Sequence, residues 1–101
     1  MLSAYNPALR AYVTDIAEFN AALQQANLGC WLAGAKKFEA LAAREGQEPA
    51  VWRNIGILRM RVLDHQHAIA ALRKFTSFAS VPRDDAVEAE ALAQYLSDPA
   101  D

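Results

Sequence analysis

Few residues in this chain are equipped for chemistry. Asp64, His65, His67 and Cys30 are of the types that ligate zinc or move protons near neutral pH. Their spacing argues against either role. Residues two apart on a helix, such as His65 and His67, point to nearly opposite sides, whereas helical metal pairs favour a separation of four. Cys30 belongs to a different inter-helix segment, and Asp64 reads as a helix cap. The acids Asp84, Asp85, Glu88 and Glu90 cluster near the start of a terminal helix, where carboxylates complement the helix dipole. The chain contains no Gly-rich phosphate loop and no GxSxG element. Lys36, Lys37, Arg53, Arg59, Arg61, Arg73 and Lys74 are spread over three helical segments with acids between them, a pattern of solvated faces and not of a nucleic-acid footprint. The expectation is a non-catalytic chain with no catalytic residues, no metal and no cofactor.

The bulk properties narrow the partners further. A net charge of −2 gives no general attraction to nucleic acid or to an anionic membrane. With one cysteine, no internal disulfide can form. No apolar run approaches the roughly 20 residues that span a bilayer. The opening MLSAYNPALR lacks the basic and apolar regions of a secretory signal. A cytoplasmic location is expected, for a whole protein or a piece of a longer one.

The elements that would position any site are helical. Alanine dominates the apolar residues, and alanine is the best helix former. Asn6-Pro7 reads as an N-cap with proline at the first helical position, and that helix runs to Leu28 before Gly29. A second helix runs from Trp31 to about Glu45 and stops at Gly46. Pro49 opens a third, ending near Leu63. Asp64 caps a fourth, from His65 to Phe78. Asp85 with Glu88 forms an acidic capping box for a fifth, ending near Leu96. No window alternates with the period of a strand.

These helices repeat. Asn54 and Gly56 stand 34 residues after Asn20 and Ala22, and the same offset places Ala68 over Gly34, Leu72 over Phe38 and Phe75 over Leu41. Each proposed hairpin then carries one glycine and one alanine at its crossing, Ala22 with Gly34 and Gly56 with Ala68. Small residues there let two helices approach, flanked by the larger knobs Phe38, Leu41, Leu72 and Phe75. The fifth helix carries Glu90 where the small residue would fall, as suits a terminal helix with no partner to complete a hairpin.

At these residues the sequence resembles the tetratricopeptide repeat family, over roughly residues 15–97. Trp52, Asn54, Ile55, Gly56, Ala68 and Leu72 match its pattern in the second unit, and Asn20, Gly29, Trp31 and Phe38 in the first. Glu18 replaces an aromatic, and Leu63 stands where the hairpin turn usually has glycine. The resemblance implies an all-α, α-solenoid-type domain: an N-terminal extension at 1–14, repeats at 15–48 and 49–82, and a capping helix at 83–97. It also implies a concave groove that binds a peptide or helix. Carried over, the groove residues are Phe19, Asn20, Leu23, Asn27, Arg53, Asn54, Ile57, Arg61 and Glu88, flanked by Ile16, Met60, Asp84, Val87, Ala91 and Tyr95. Some members clamp a terminal carboxylate with basic residues. Here Phe19, Leu23, Asp84 and Glu88 stand at those places, so no such clamp is expected. Leu9, Val13, Ile16, Phe19 or Asn20, and Leu23 also recur at near-heptad spacing, which makes a homodimer through the first helix the alternative. An accessory domain of a larger enzyme is a further one.

Overall fold

The structure, a computed structural model, describes residues 7–44 and 47–97, and the side chains from Ala17 onward. These residues form five α-helices: α1 (Pro7–Asn27), α2 (Trp31–Arg44), α3 (Pro49–Arg61), α4 (His65–Thr76) and α5 (Arg83–Ser97). Each packs chiefly on its neighbours in sequence, α1 on α2, α2 on α3, α3 on α4 and α4 on α5. No strand occurs among the described residues.

The two tight links share one geometry. In the first, the Gly29 amide donates to the Ala26 carbonyl at 3.0 Å and the Cys30 amide to Gln25 at 3.0 Å. In the second, the Leu63 amide donates to Met60 at 3.0 Å and the Asp64 amide to Arg59 at 2.8 Å. Both are Schellman caps, which satisfy orphan carbonyls at the helix end and need a left-handed residue at the turn. Gly29 has φ 83° and Leu63 has φ 63°. Every donor and acceptor of the second cap lies 34 positions after its counterpart in the first. The period seen in side-chain types is therefore also a period of the backbone.

Leu63 carries the steric cost of that conformation without a compensating contact, being 79% exposed. Its Cβ is disfavoured at positive φ by about 1–2 kcal/mol, partly offset by the entropy that glycine adds to the unfolded chain. Leu63→Gly is expected to stabilise the domain by about 0.5–1 kcal/mol, visible as a rise of roughly 2–6 °C in a thermal melt. The reciprocal Gly29→Ala should lower it, through backbone strain alone, since nothing lies within 4 Å of the added Cβ.

The small residues meet where the hairpins cross. A Cβ on Gly34 would lie 3.3 Å from the Ala22 oxygen and the Ala26 nitrogen, and one on Gly56 would lie 2.8 Å from the Leu72 side chain. Phe38 and Leu72, equivalent by the offset, are both fully buried. Two apolar clusters result. One joins α1, α2 and α3 around Phe38, Leu41, Val51, Ile55 and Leu58 and reaches α4 at Ala71; the other joins α4 and α5 around Leu72, Phe75, Ala89 and Ala93. Trp52 packs against both and links them. Helix α3 buries Val51, Ile55 and Leu58, while Ala17, Ala21 and Gln24, their counterparts in α1, are exposed. The reason is position: α3 lies between two helices, whereas α1 packs chiefly on one.

Several helix ends depart from expectation. Helix α5 begins at Arg83, with Asp84 and Asp85 inside its first turn. The Ala86 amide donates to the Pro82 carbonyl at 2.9 Å, so Asp85 is not the cap and its charge serves the helix dipole instead. Helix α4 stops at Thr76, and there the hydroxyls of Thr76 and Ser77 donate back to the carbonyls of Arg73 and Lys74. Helix α3 ends at Arg61, before the left-handed Leu63. Asn6 and Gly46 lie outside the described residues.

Polar contacts tie the hairpins together. The Arg59 guanidinium donates to both Glu39 oxygens at 2.7 and 2.6 Å, linking α3 to α2, and to Asp64 at 3.3 Å. The Glu39 hydrogen bond raises the Arg59 pKa above its ordinary value. Asp64 caps α4, accepting from the His67 amide at 3.4 Å and pairing with the His67 ring at 2.9 Å. The His67 ring bond, aided by that amide and by Arg59, holds the Asp64 carboxyl below the usual range. A lowered folded-state pKa contributes stability that is fully present above the ordinary aspartate pKa of about 3.9 and fades as the pH falls from there through the folded value. In Asp64→Asn that contribution is absent. Thermal melts across the acid range should show the wild type more stable at neutral pH and the difference shrinking below about pH 4. A difference independent of pH would remove the carboxylate from this account.

Candidate functional site

The face formed by α1, α3 and α5 carries two adjoining clefts. The first, of about 170 Å³, opens between the C-terminal turns of α1 and α3 and the start of α2. Phe38, Leu58 and Ala26 line its inner part, with Leu23, Ile57 and Trp31 around them and Asn27, Asn54 and Arg61 as its polar groups. Leu23 and Trp31 are large apolar residues left partly open to solvent, at 39% and 37% exposure. The Arg61 guanidinium lies over the Trp31 ring, 5.4 Å from its centroid. The positions are related by the repeat: Ile57 follows Leu23 and Arg61 follows Asn27 by 34 residues.

The second cleft, of about 70 Å³, lies between α3 and α5 above Leu72 and is lined by Arg53, Ile57, Asp85, Glu88, Ala89 and Leu92. Ile57 borders both clefts, so it forms the ridge between them. Here Arg53 shares the lining with two carboxylates. A third, wider depression of about 710 Å³ lies at the opposite end of α3, where Glu48, Arg53, Ser80 and Asp85 are among its polar borders and Phe75 among its apolar ones.

Of the residues carried over by resemblance, Leu23, Asn27, Asn54, Ile57 and Arg61 meet in the first cleft, and Arg53, Ile57 and Glu88 in the second. Phe19 and Asn20 line neither. Phe19 turns to the core: its ring meets Phe38 edge to face at 5.2 Å, so a charge placed there would strike the fold and would not probe a groove. Asn20 is exposed on α1. Val87, Ala91 and Tyr95 form an exposed stripe on α5 outside both clefts. Ile16, Leu9 and Val13 belong to the part of α1 whose side chains lie outside the described residues. The sequence reading missed Trp31, whose stacking depends on the three-residue turn that brings the start of α2 beside the end of α3. It also missed Asp85 and Leu92 in the second cleft. Their spacing from Glu88, three before and four after, places all three on one helix face and was the signal available.

No group of three or more His, Cys, Asp or Glu side chains suited to a metal is assembled among the described residues. Cys30 is exposed at the turn before α2. No described helix is long and apolar enough to cross a membrane. No family model, curated protein or solved structure matches the chain.

Proposed function

We propose that this domain is a non-catalytic, tetratricopeptide-like module of α-solenoid type that binds a protein segment on the face of α1, α3 and α5. The observation that carries this reading is the first cleft. Leu23 and Ile57 meet there from equivalent positions of two successive hairpins, and two primary amides, Asn27 and Asn54, join them from positions that are not equivalent. A primary amide both donates and accepts, so it can pair with the backbone of an extended chain whatever that chain's side chains. The 34-residue recurrence of the turn hydrogen bonds supports the repeat assignment. The size of the first cleft supports a peptide over a metabolite. At about 170 Å³ it is smaller than the roughly 300–1,000 Å³ usual for small-molecule sites, and it suits one inserted side chain.

The test is a selection of peptides from a random library on the immobilised domain, followed by affinity measurements. Asn54→Ala removes hydrogen bonds to the peptide backbone and is expected to weaken the selected peptides by roughly two- to tenfold. The melting temperature should change little, because the Asn54 side chain has no hydrogen bond among the described residues. Ile57→Asp is expected to abolish binding. Peptides that bind both variants as tightly as the wild type would place recognition elsewhere and sink this reading.

A further inference from the structure

We infer that the first cleft takes a segment carrying an apolar side chain close to an acidic one, with the apolar group seated between Leu23 and Ile57 and the carboxylate on Arg61. The inference rests on the partner-binding reading above and adds the chemistry of the partner. It comes from charge and geometry together. Among the described residues Arg61 is the one charged residue lining that cleft, and its described interaction is with the Trp31 ring. No described carboxylate pairs with it, although the chain as a whole has a net charge of −2. The neighbouring cleft differs, since Arg53 there sits among Asp85 and Glu88. A cationic partner would therefore meet repulsion at the first cleft and no compensating acid.

The contact with Trp31 also bears on which anion fits. At 5.4 Å from the ring centroid the guanidinium makes a cation–π contact that uses none of its N–H groups as hydrogen-bond donors, so they stay available to pair with a carboxylate through two parallel hydrogen bonds. Asn27 and Asn54 lie in the same lining, able to hold the backbone of a chain that continues on both sides of the anchor. An internal Asp or Glu side chain thus suits the site better than a chain terminus.

The probes are short peptides, acetylated and amidated at their ends, each with one leucine at a varied distance from one Asp, Lys or Asn. Their affinities are read by fluorescence anisotropy with the whole chain. The best Asp peptide is expected to bind roughly tenfold tighter than its Lys counterpart, the worth of one charge-assisted pair. Arg61→Gln should erase that preference, and Arg61→Glu should reverse it in favour of Lys, with circular dichroism and melting confirming that both variants remain folded. Arg61→Lys keeps the charge without the planar fork and should retain only part of the preference. Equal binding of Asp and Lys peptides, or a preference that survives Arg61→Glu, overturns the inference. So does equal binding of an Asn peptide that carries a free C-terminal carboxylate. If peptides bind in an Ile57-dependent way without regard to charge, the inference fails and the partner-binding reading stands. If none binds, both fail.

Discussion

Phe38→Ala is expected to cost about 3–5 kcal/mol of folding stability, the usual range for emptying a fully buried phenylalanine site. Phe38 has 0% exposure and is the largest of the completely buried side chains. It sits in the cluster that holds α1, α2 and α3 together, with the Phe19 ring edge-on against it. Removing it takes away the burial of its own ring, the aromatic contact and the packing of Phe19. The surroundings cannot readily collapse into the space, because Gly34 already brings α2 so near α1 that a Cβ added there would lie 3.3 Å from the α1 backbone. A domain of this size has a total stability on the order of 5–15 kcal/mol, so the variant should lose about a fifth of it or more. Urea titration followed by circular dichroism measures the change. Phe38→Leu should recover much of the loss. A cost below about 1 kcal/mol for the alanine variant would mean that α1 is not packed on α2 as described. Because Phe38 also lines the first cleft, both variants should bind selected peptides more weakly even where the fold survives.

The all-helical class and the order of the five helices were legible because their signals are local. Gly29, Pro49 and Asp64 each act within a turn of their own position. The pairing of Phe38 with Leu72, and of Leu41 with Phe75, was legible because a repeat displays the same burial twice. What could not be read depends on which side of a helix its neighbour takes. Phe19 and Leu23 are four residues apart on α1 and look alike as a pair, yet one enters the core and the other borders the cleft. That choice follows from the direction in which α2 crosses, which no single helix encodes. The cap of α5 was misread for another reason, although the helix itself spans the expected 83–97. Pro82, Asp84 and Asp85 all offer plausible starts, and the Pro82 carbonyl accepts the first helical hydrogen bond. The Arg61–Trp31 contact joins the start of α2 to the far end of α3, 30 residues along the chain, and neither residue has a partner that local spacing could suggest.

The face and the core are mechanically connected, which gives the crossing residues weight beyond packing. The clefts open between helices α1, α3 and α5, and their relative placement is set by how closely α2 and α4 approach from behind. Gly56 controls one of those approaches and Gly34 the other. A change at either should alter the spacing of Asn27, Asn54 and Arg61 around the first cleft, or of Arg53 and Glu88 around the second, without touching any of them.

Gly56→Ala is accordingly expected to destabilise the domain by up to about 2 kcal/mol, against the direction set by helix propensity. In an open helix this substitution gains about 1 kcal/mol. Here the added methyl would lie 2.8 Å from both Cγ and Cδ2 of Leu72 and 3.5 Å from the Ala68 oxygen. Cγ is not the free end of a side chain, and Leu72 is fully buried against α5, so relief requires either an unfavourable rotamer or a displacement of α4. Overpacking of that kind costs about 1–3 kcal/mol, and the two opposing terms leave a net loss. The assignment of the clash to Leu72 can be isolated by a double-mutant cycle. Leu72→Ala alone should cost about 2–5 kcal/mol. In that background the space beside Gly56 is vacant, so adding Gly56→Ala should now stabilise, by up to about 1 kcal/mol. A reversal of sign between the two backgrounds is the outcome specific to this contact. If Gly56→Ala stabilises the wild type as well, then α3 and α4 stand further apart than described, and the close crossing is not what the glycine is for.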